Sequence, residues 1–319
     1  METVLTHLEV PWALAFAPDG QLFFTERPGR LRVVTNGKLA AEPVARLPVN
    51  AAGEGGLLGL ALDPDFGRTH HLYVCYTAAK RGGPVNRISR LTLNAGRAGD
   101  ERVLLDDMPG AGIHDGCRLK FGPDGKLYAT MGDAGQSPRA QRRDSLSGKI
   151  LRIDADGSVP DDNPFRGSPV WSVGHRNPQG LAWDAAGRLW ESEHGSTAHD
   201  EINLIQRGHN YGWPEVRGRE TREGFVPPML ESGDDTWAPS GIAILHDTLY
   251  VAALRGQRLL KIAIAGGKVG DATTLLKGEY GRLRDVVVGP DGALWVATNN
   301  RDGRGSPHAD DDRILKVVP

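Results

Sequence analysis

The chain of 319 residues carries 38 Lys and Arg against 40 Asp and Glu, a formal charge of −2. That balance argues against nucleic acid or an anionic membrane as the main partner, and no apolar run approaches the ~18 residues needed to span a bilayer. The length suits one large domain or two ordinary ones, with a sizeable core. The opening METVLTHLEVPW lacks the basic-then-apolar layout of a secretion signal. The 42 Gly and 21 Pro are spread along the chain without low-complexity runs, which means many turns and therefore many short strands.

In chain order, six segments share one pattern of apolar strand, tight turn and second apolar strand. They are LAFAPDGQLFFTE (14–26), LALDPDFGRTHHLYVCYT (60–77), LKFGPDGKLYATMGD (119–133), LAWDAAGRLWESEHG (181–195), IAILHDTLYVAAL (242–254) and the segment from 286 to 300. Each is followed by a third strand: GRLRVV, NRISRLTL, GKILRID, EINLIQ, QRLLKIAI and DRILKVV. Fourth strands are shorter, such as PVARLP (43–48) and ERVLLDD (101–107). The starts at 14, 60, 119, 181, 242 and 286 lie 44 to 62 residues apart, the length of a four-stranded propeller blade with loop insertions. The expected fold is therefore all-β, a single domain over 1–319. It is a six-bladed β-propeller of four-stranded antiparallel blades, with the N-terminal stretch THLEV (6–10) closing the last blade. A pair of β-sandwiches is the alternative, but gives no reason for six similar units.

In such a blade, residues just before the first strand and just after the second share one face. His114 and Asp133 are such residues. The same face collects Glu54 of GEGGLLG, Asp115, His175, Arg176 and Asn177 of GHRNPQG, the segment SEHGSTAHDE (192–201), Arg255, Arg282, Arg284 and NNRDGRGSPH. Arg176, Arg255, Arg282 and Arg284 would meet at one channel mouth, where like charges repel unless an anion meets them. Planar guanidiniums suit carboxylates or phosphates. Asp133 could orient one nitrogen of His114 and leave the other free as a general base.

No G-x-S-x-G elbow is present, which weakens an acyl-transfer reading. GEGGLLG precedes a strand and opens no helix, which argues against a dinucleotide loop. The oxygen-rich GSTAHDE could hold Ca²⁺. DDNP (161–164) and the run Asp310 to Asp312 read as solvated turns rather than calcium ligands. Cys75 and Cys117 lie in no metal-like cluster and read as small apolar residues, with a disulfide the lesser alternative. Trp237 could wall a sugar site or pack between blades.

These segments resemble the soluble, pyrroloquinoline quinone (PQQ)-dependent glucose and aldose sugar dehydrogenases, the glucose/sorbosone dehydrogenase family. The matching pieces are GEGGLLGLALDPDF, HDG…RLKFGPDGKLYATMGDAG, SGKILRIDADGSVPDDNPF, GHRNPQGLAWD, SEHG…DEINLI, GHNYGWPEV, APSGIAI and GRLRDVVVGPDG, which span about 10 to about 318. The resemblance implies the same six-bladed fold and two cofactors, PQQ and Ca²⁺. It implies cofactor contacts from Arg176, Asn177, Arg282 and Arg284, with Arg255 where some relatives carry Lys and Glu54 where some carry Gln. A second anion at position 54 would have to face a cation, a metal or the sugar. The carbonyls of Gly195 and Ser196 match those that hold the catalytic Ca²⁺, while Glu201 and Tyr211 match part of a second calcium site. His114 matches the catalytic base and Asp133 its acidic neighbour. The implied reaction is oxidation of an aldose at C1 to the lactone, with an external electron acceptor, in a periplasmic or secreted enzyme without membrane insertion. A calcium-dependent propeller lactonase and a non-catalytic propeller binding module are the competing readings. Oligomeric state stays open.

Overall fold

In the computed structural model, which describes residues 1–318, six antiparallel sheets surround one axis. The inner strands are Pro11–Phe16, Leu57–Leu62, Leu119–Phe121, Pro178–Trp183, Pro239–Leu245 and Leu283–Val288. Each continues outward through two strands and an outer one. In blade one the outer place is shared by Lys38–Leu39 and Ala45–Arg46, both paired with Arg30–Thr35. The turns joining first and second strands follow from their residues. Gly125 of GPDG takes φ 72°, which glycine adopts without a steric penalty. Blade five instead uses His246 and Asp247, both at positive φ, 47° and 55°, as a two-residue type I′ hairpin requires.

The inner strands approach closely because side chains are missing where they touch. A Cβ on Gly59 would fall 2.0 Å from the Cys117 carbonyl oxygen, and one on Gly241 would fall 1.8 Å from an Asp285 oxygen. Into that space goes a buried pair, Arg118 Nη1 to Asp285 Oδ2 at 3.2 Å. Asp285 also accepts Leu14 N at 2.8 Å, and Arg118 Nε donates to Gln179 O at 2.8 Å. Blades one, three, four and six are thus tied at the axis. Burial without these partners would cost several kcal/mol per ion.

Several expectations need correction. The closing strand is Glu2–Leu5, paired with Ile314–Val317, rather than 6–10. Residues 7 and 8 instead donate backbone bonds to Asp310 O and Asp312 O, at 2.9 Å each. Asp311 and Asp312 are not solvated: they are 1% and 0% exposed, and the Asp312 carboxylate accepts the Asn300 amide and the Thr298 hydroxyl. In DDNP, Asp162 pairs with Arg152 and Asn163 is buried. Fourth strands also move: 101–107 lies within the longer Arg97–Pro109. Trp237 packs among Trp190, Ile202 and Ile242 between blades four and five, so it is core and not a sugar wall.

Cys75 and Cys117 are not separate small residues. They form a disulfide between blade two and the start of blade three. The bridge closes a loop of sequence separation 42, which chain entropy values at about 4 kcal/mol. Reductant should therefore lower the urea midpoint of the wild-type chain, and C75A/C117A should lower it without reductant. An unchanged midpoint in both would contradict the bridge.

Candidate active site

Topology carries the start of every inner strand and the end of every second strand to one face, and the candidate side chains meet there. Arg255, Arg282 and Arg284 line one cavity of about 270 Å³, together with Glu54, Trp12, Asp115, Gln179, His194 and Arg304. A second hollow of about 470 Å³ adjoins it through Glu54, His194, Ala238 and Arg255, and adds His114, Arg176, Gly195 and Ser196. The four expected arginines from three blades therefore border one continuous mouth.

His114 stands at the lip with its side chain 13% exposed. Its Nδ1 lies 2.7 Å from Asp133 Oδ1. A carboxylate only accepts, so Nδ1 carries the proton and Nε2 keeps its lone pair. Asp133 is itself held by Trp213 Nε1 at 2.9 Å and Gly135 N at 2.8 Å. Burial pushes its carboxyl up, but the bonds from His114 and Trp213 outweigh this and leave it below the usual range. The backbone amide of His114 donates to Glu54 Oε2 at 2.8 Å, and Glu54 Oε1 accepts Arg304 Nη1 at 2.6 Å. The cation that Glu54 required is thus Arg304.

The arginines are costly in this setting. Burial brings Arg284 down to about 9, despite Asp302 nearby. Arg284 Nη1 donates to Gln179 Oε1 at 2.8 Å, and Arg282 Nη2 to Asp302 Oδ2 at 3.0 Å. Arg176 lies over the Trp213 ring at 5.4 Å and reaches His194 O at 3.2 Å. Arg255 is exposed, and among the described residues no carboxylate pairs with it. Arg176 Nε, Arg282 Nε, Arg284 Nε and Asn177 Nδ2 are buried with no partner. A surplus of donors around a hollow fits an acceptor-rich anion. Asn177 is fully buried, and its Oδ1 accepts the amide of Gly116, a residue that lines the first hollow, at 3.2 Å.

The turn after strand Leu189–Glu193 is pinned by Asp200, whose carboxylate accepts Gly195 N at 2.8 Å, Trp237 N at 2.6 Å and Ala238 N at 2.8 Å. Among the described residues, no backbone or side-chain donor reaches the carbonyls of Gly195 and Ser196, so both fit a hard cation. Glu201 and Tyr211 border a small hollow of about 20 Å³ beside Glu193 and Gly195, room for about one ion or water. Burial and Glu193 raise the Glu201 carboxyl well above its ordinary value. The Tyr211 hydroxyl is engaged with Leu204 O and Gln206 N, which leaves its carbonyl as the fitting donor.

Sequence reasoning did not single out Arg304, His194, Gln179 or Trp213. Arg304, His194 and Gln179 lie within quoted rim segments and Trp213 within the matching piece GHNYGWPEV, but nothing in the spacing says which side chain turns inward. Burial brings His194 down to about 3, so it stays neutral beside the arginines.

Residues 8–309 match the model of the glucose/sorbosone dehydrogenase family, and the chain belongs to that family. It is 34% identical, over 100% of its own length and 92% of the other, to aldose sugar dehydrogenase YliI of Escherichia coli K12. It is 37% identical to quinoprotein glucose dehydrogenase B of Acinetobacter calcoaceticus, over 70% of this chain and 54% of that one. The PQQ-bound aldose sugar dehydrogenase of Streptomyces coelicolor superposes with a TM-score of 0.94 at 42% identity, covering 99% of this chain and 96% of that one.

Asp115 offers a test of the cavity itself. It is 2% exposed, its Oδ2 has no partner, and burial raises its carboxyl to about 7. The folded state therefore keeps a proton that the unfolded chain releases above about 4. The Asp115 contribution to stability should fall as pH rises from about 4 to 7, and Asp115→Asn should remove it, shifting the slope of stability against pH upward by up to about 1.4 kcal/mol per pH unit. Equal slopes in urea titrations of the two proteins would contradict the assignment.

Proposed function

We propose that this chain is a PQQ- and calcium-dependent aldose sugar dehydrogenase that oxidises C1 to the lactone and passes electrons to an external acceptor. One observation carries this reading: His114, held by Asp133 at 2.7 Å, stands at the lip of a hollow bordered by Arg176, Arg255, Arg282 and Arg284. The guanidiniums would hold the three carboxylates of PQQ, with the unpartnered Asn177 Nδ2 as a further cofactor donor, and the carbonyls of Gly195 and Ser196 would hold the catalytic Ca²⁺. When bound, these groups supply an electrophilic two-electron acceptor with a Lewis acid beside it.

The rest follows from the chain's own residues. Asp133 fixes the tautomer of His114, so Nε2 is the basic atom that faces the mouth. It takes the proton of the sugar's anomeric hydroxyl as C1 loses its hydride. The imidazolium that forms is stabilised by the Asp133 carboxylate. Arg176, Arg282 and Arg284 are held by His194 O, Asp302 and Gln179 before the reaction, so little reorganisation of them accompanies charge development. Glu201 and the Tyr211 carbonyl, beside Glu193, would hold a second, structural calcium.

The Cys75–Cys117 bridge supports a periplasmic or secreted location, since disulfides persist in oxidising compartments. Among the described residues no helix is long and apolar enough to cross a membrane.

Purified apoprotein given PQQ, Ca²⁺ and an aldose should reduce a dye, and omission of either cofactor should abolish it. Lactone hydrolysis without PQQ, and no dye reduction, would overturn the proposal. His114→Ala should keep PQQ binding while kcat falls by about 10²–10⁴, the range for losing a general base; an unchanged kcat removes His114 from the mechanism. Arg282→Ala should weaken PQQ binding in a fluorescence titration, and an undiminished affinity would count against its contact.

A further inference from the structure

Arg304 comes from the loop after the second strand of blade six. Its guanidinium crosses the point where the last blade meets the early ones, and bonds Glu54, 250 positions away in the chain, at 2.6 Å. It lines the same 270 Å³ hollow as Arg255, Arg282 and Arg284, with its side chain 52% exposed.

Both ends of this contact are fixed. The Arg304 amide donates to Asp302 Oδ1 at 2.9 Å, and Asp302 Oδ2 accepts Arg282 Nη2 at 3.0 Å and Asn299 Nδ2 at 2.6 Å. On the other side, Glu54 N donates to Gly112 O at 3.1 Å, and Glu54 Oε2 accepts the His114 amide at 2.8 Å. Arg27 Nη1 donates to the neighbouring carbonyl of Gly53. The result is one connected chain of bonds: Arg282, Asp302, Arg304, Glu54, His114, Asp133.

The chemistry of Glu54 decides what this chain does. Glu54 lines both hollows, and each of its oxygens accepts one bond, from Arg304 and from the His114 amide. Without Arg304, an ionised carboxylate would face the same space as the bound anion, and like charges close together are strongly unfavourable. With Arg304, that charge is met, and the remaining donors of the guanidinium stay available, since the group carries five N–H bonds.

We propose that Arg304 is a further anion-binding residue of the cofactor hollow, and that Glu54 is a positioning residue that holds Arg304 and the backbone of His114 in register. This deepens the PQQ-binding reading and rests on it. Arg304 shields the bound tricarboxylate from Glu54, and the shared carboxylate makes the anion clamp and the base loop one unit.

The test is PQQ affinity of Ca²⁺-loaded apoprotein, read by quenching of tryptophan fluorescence, for wild type, R304Q, R304K, E54Q and E54Q/R304Q. Circular dichroism first establishes that each variant is folded; Arg304 is half-exposed and its loss leaves the core intact. R304Q should weaken binding roughly 10- to 100-fold, the range for one charge-assisted hydrogen bond. R304K should recover part of the loss. E54Q/R304Q should bind more tightly than R304Q, because the unshielded charge is gone. An R304Q affinity within about twofold of wild type, or a double variant no tighter than R304Q, overturns the inference. If wild type fails to bind PQQ at all, the cofactor reading itself fails, which is a distinct result.

Discussion

Six twisted sheets can share one axis only if the strands nearest it carry almost nothing where they touch. Gly59 and Gly241 meet that demand against Cys117 and Asp285. The buried Arg118–Asp285 pair fills part of the space they leave. The pair is joined by backbone bonds to Leu14 and Gln179, so a single polar contact sets the relative positions of four blades. Pairing of Glu2–Leu5 with Ile314–Val317 then completes the last blade and ties the two ends of the chain together. Everything at the mouth inherits its geometry from this arrangement, because the functional loops are short links between fixed strand ends.

The mouth itself is built against stability. It gathers arginines whose Nε atoms are buried and unpaired, a carboxyl raised to about 7 at Asp115 and an imidazole lowered to about 3 at His194. Such groups lower the stability of the apoprotein. They are tolerated when the scaffold around them is over-determined, and they favour a ligand that supplies what they lack. An acceptor-rich anion satisfies the guanidiniums, and a hard cation satisfies the free carbonyls after strand Leu189–Glu193. The neighbouring acid–base pair follows a different rule: both oxygens of Asp133 are engaged and one of them binds His114 Nδ1, so the free basic nitrogen Nε2 is held in one orientation.

Much of this was legible in the sequence because the repeat is strong. Six strand–turn–strand units with Gly or Asp-rich turns establish blade count and order, and blade topology alone places His114 and Asp133 on one face. The convergence of Arg176, Arg255, Arg282 and Arg284 follows from the same argument. What escaped was set by side-chain direction. Arg301 and Arg304 stand three positions apart in one loop; Arg301 turns back to the Asp311 carbonyl and Arg304 turns into the hollow. No periodicity exists in a loop to separate them. Asn177 and Arg176 are neighbours in one rim motif, yet Asn177 is fully buried while Arg176 lines the hollow. The pairing of Cys75 with Cys117 joins different blades, so linear spacing held no signal for it. The closing strand slipped toward the N-terminus because 6–10 is needed as the link that carries the chain from the outer edge to the axis.

The central claim is spatial: one anion site, ringed by arginines from three blades, with the base at its lip. A crystal structure of the chain with PQQ and Ca²⁺ tests it most directly. The account predicts one PQQ per chain in the hollow bordered by Arg282, Arg284 and Arg304, with His114 Nε2 facing the open side above it. PQQ seated elsewhere, or the hollow filled with its carboxylates turned away from the guanidiniums, would contradict it.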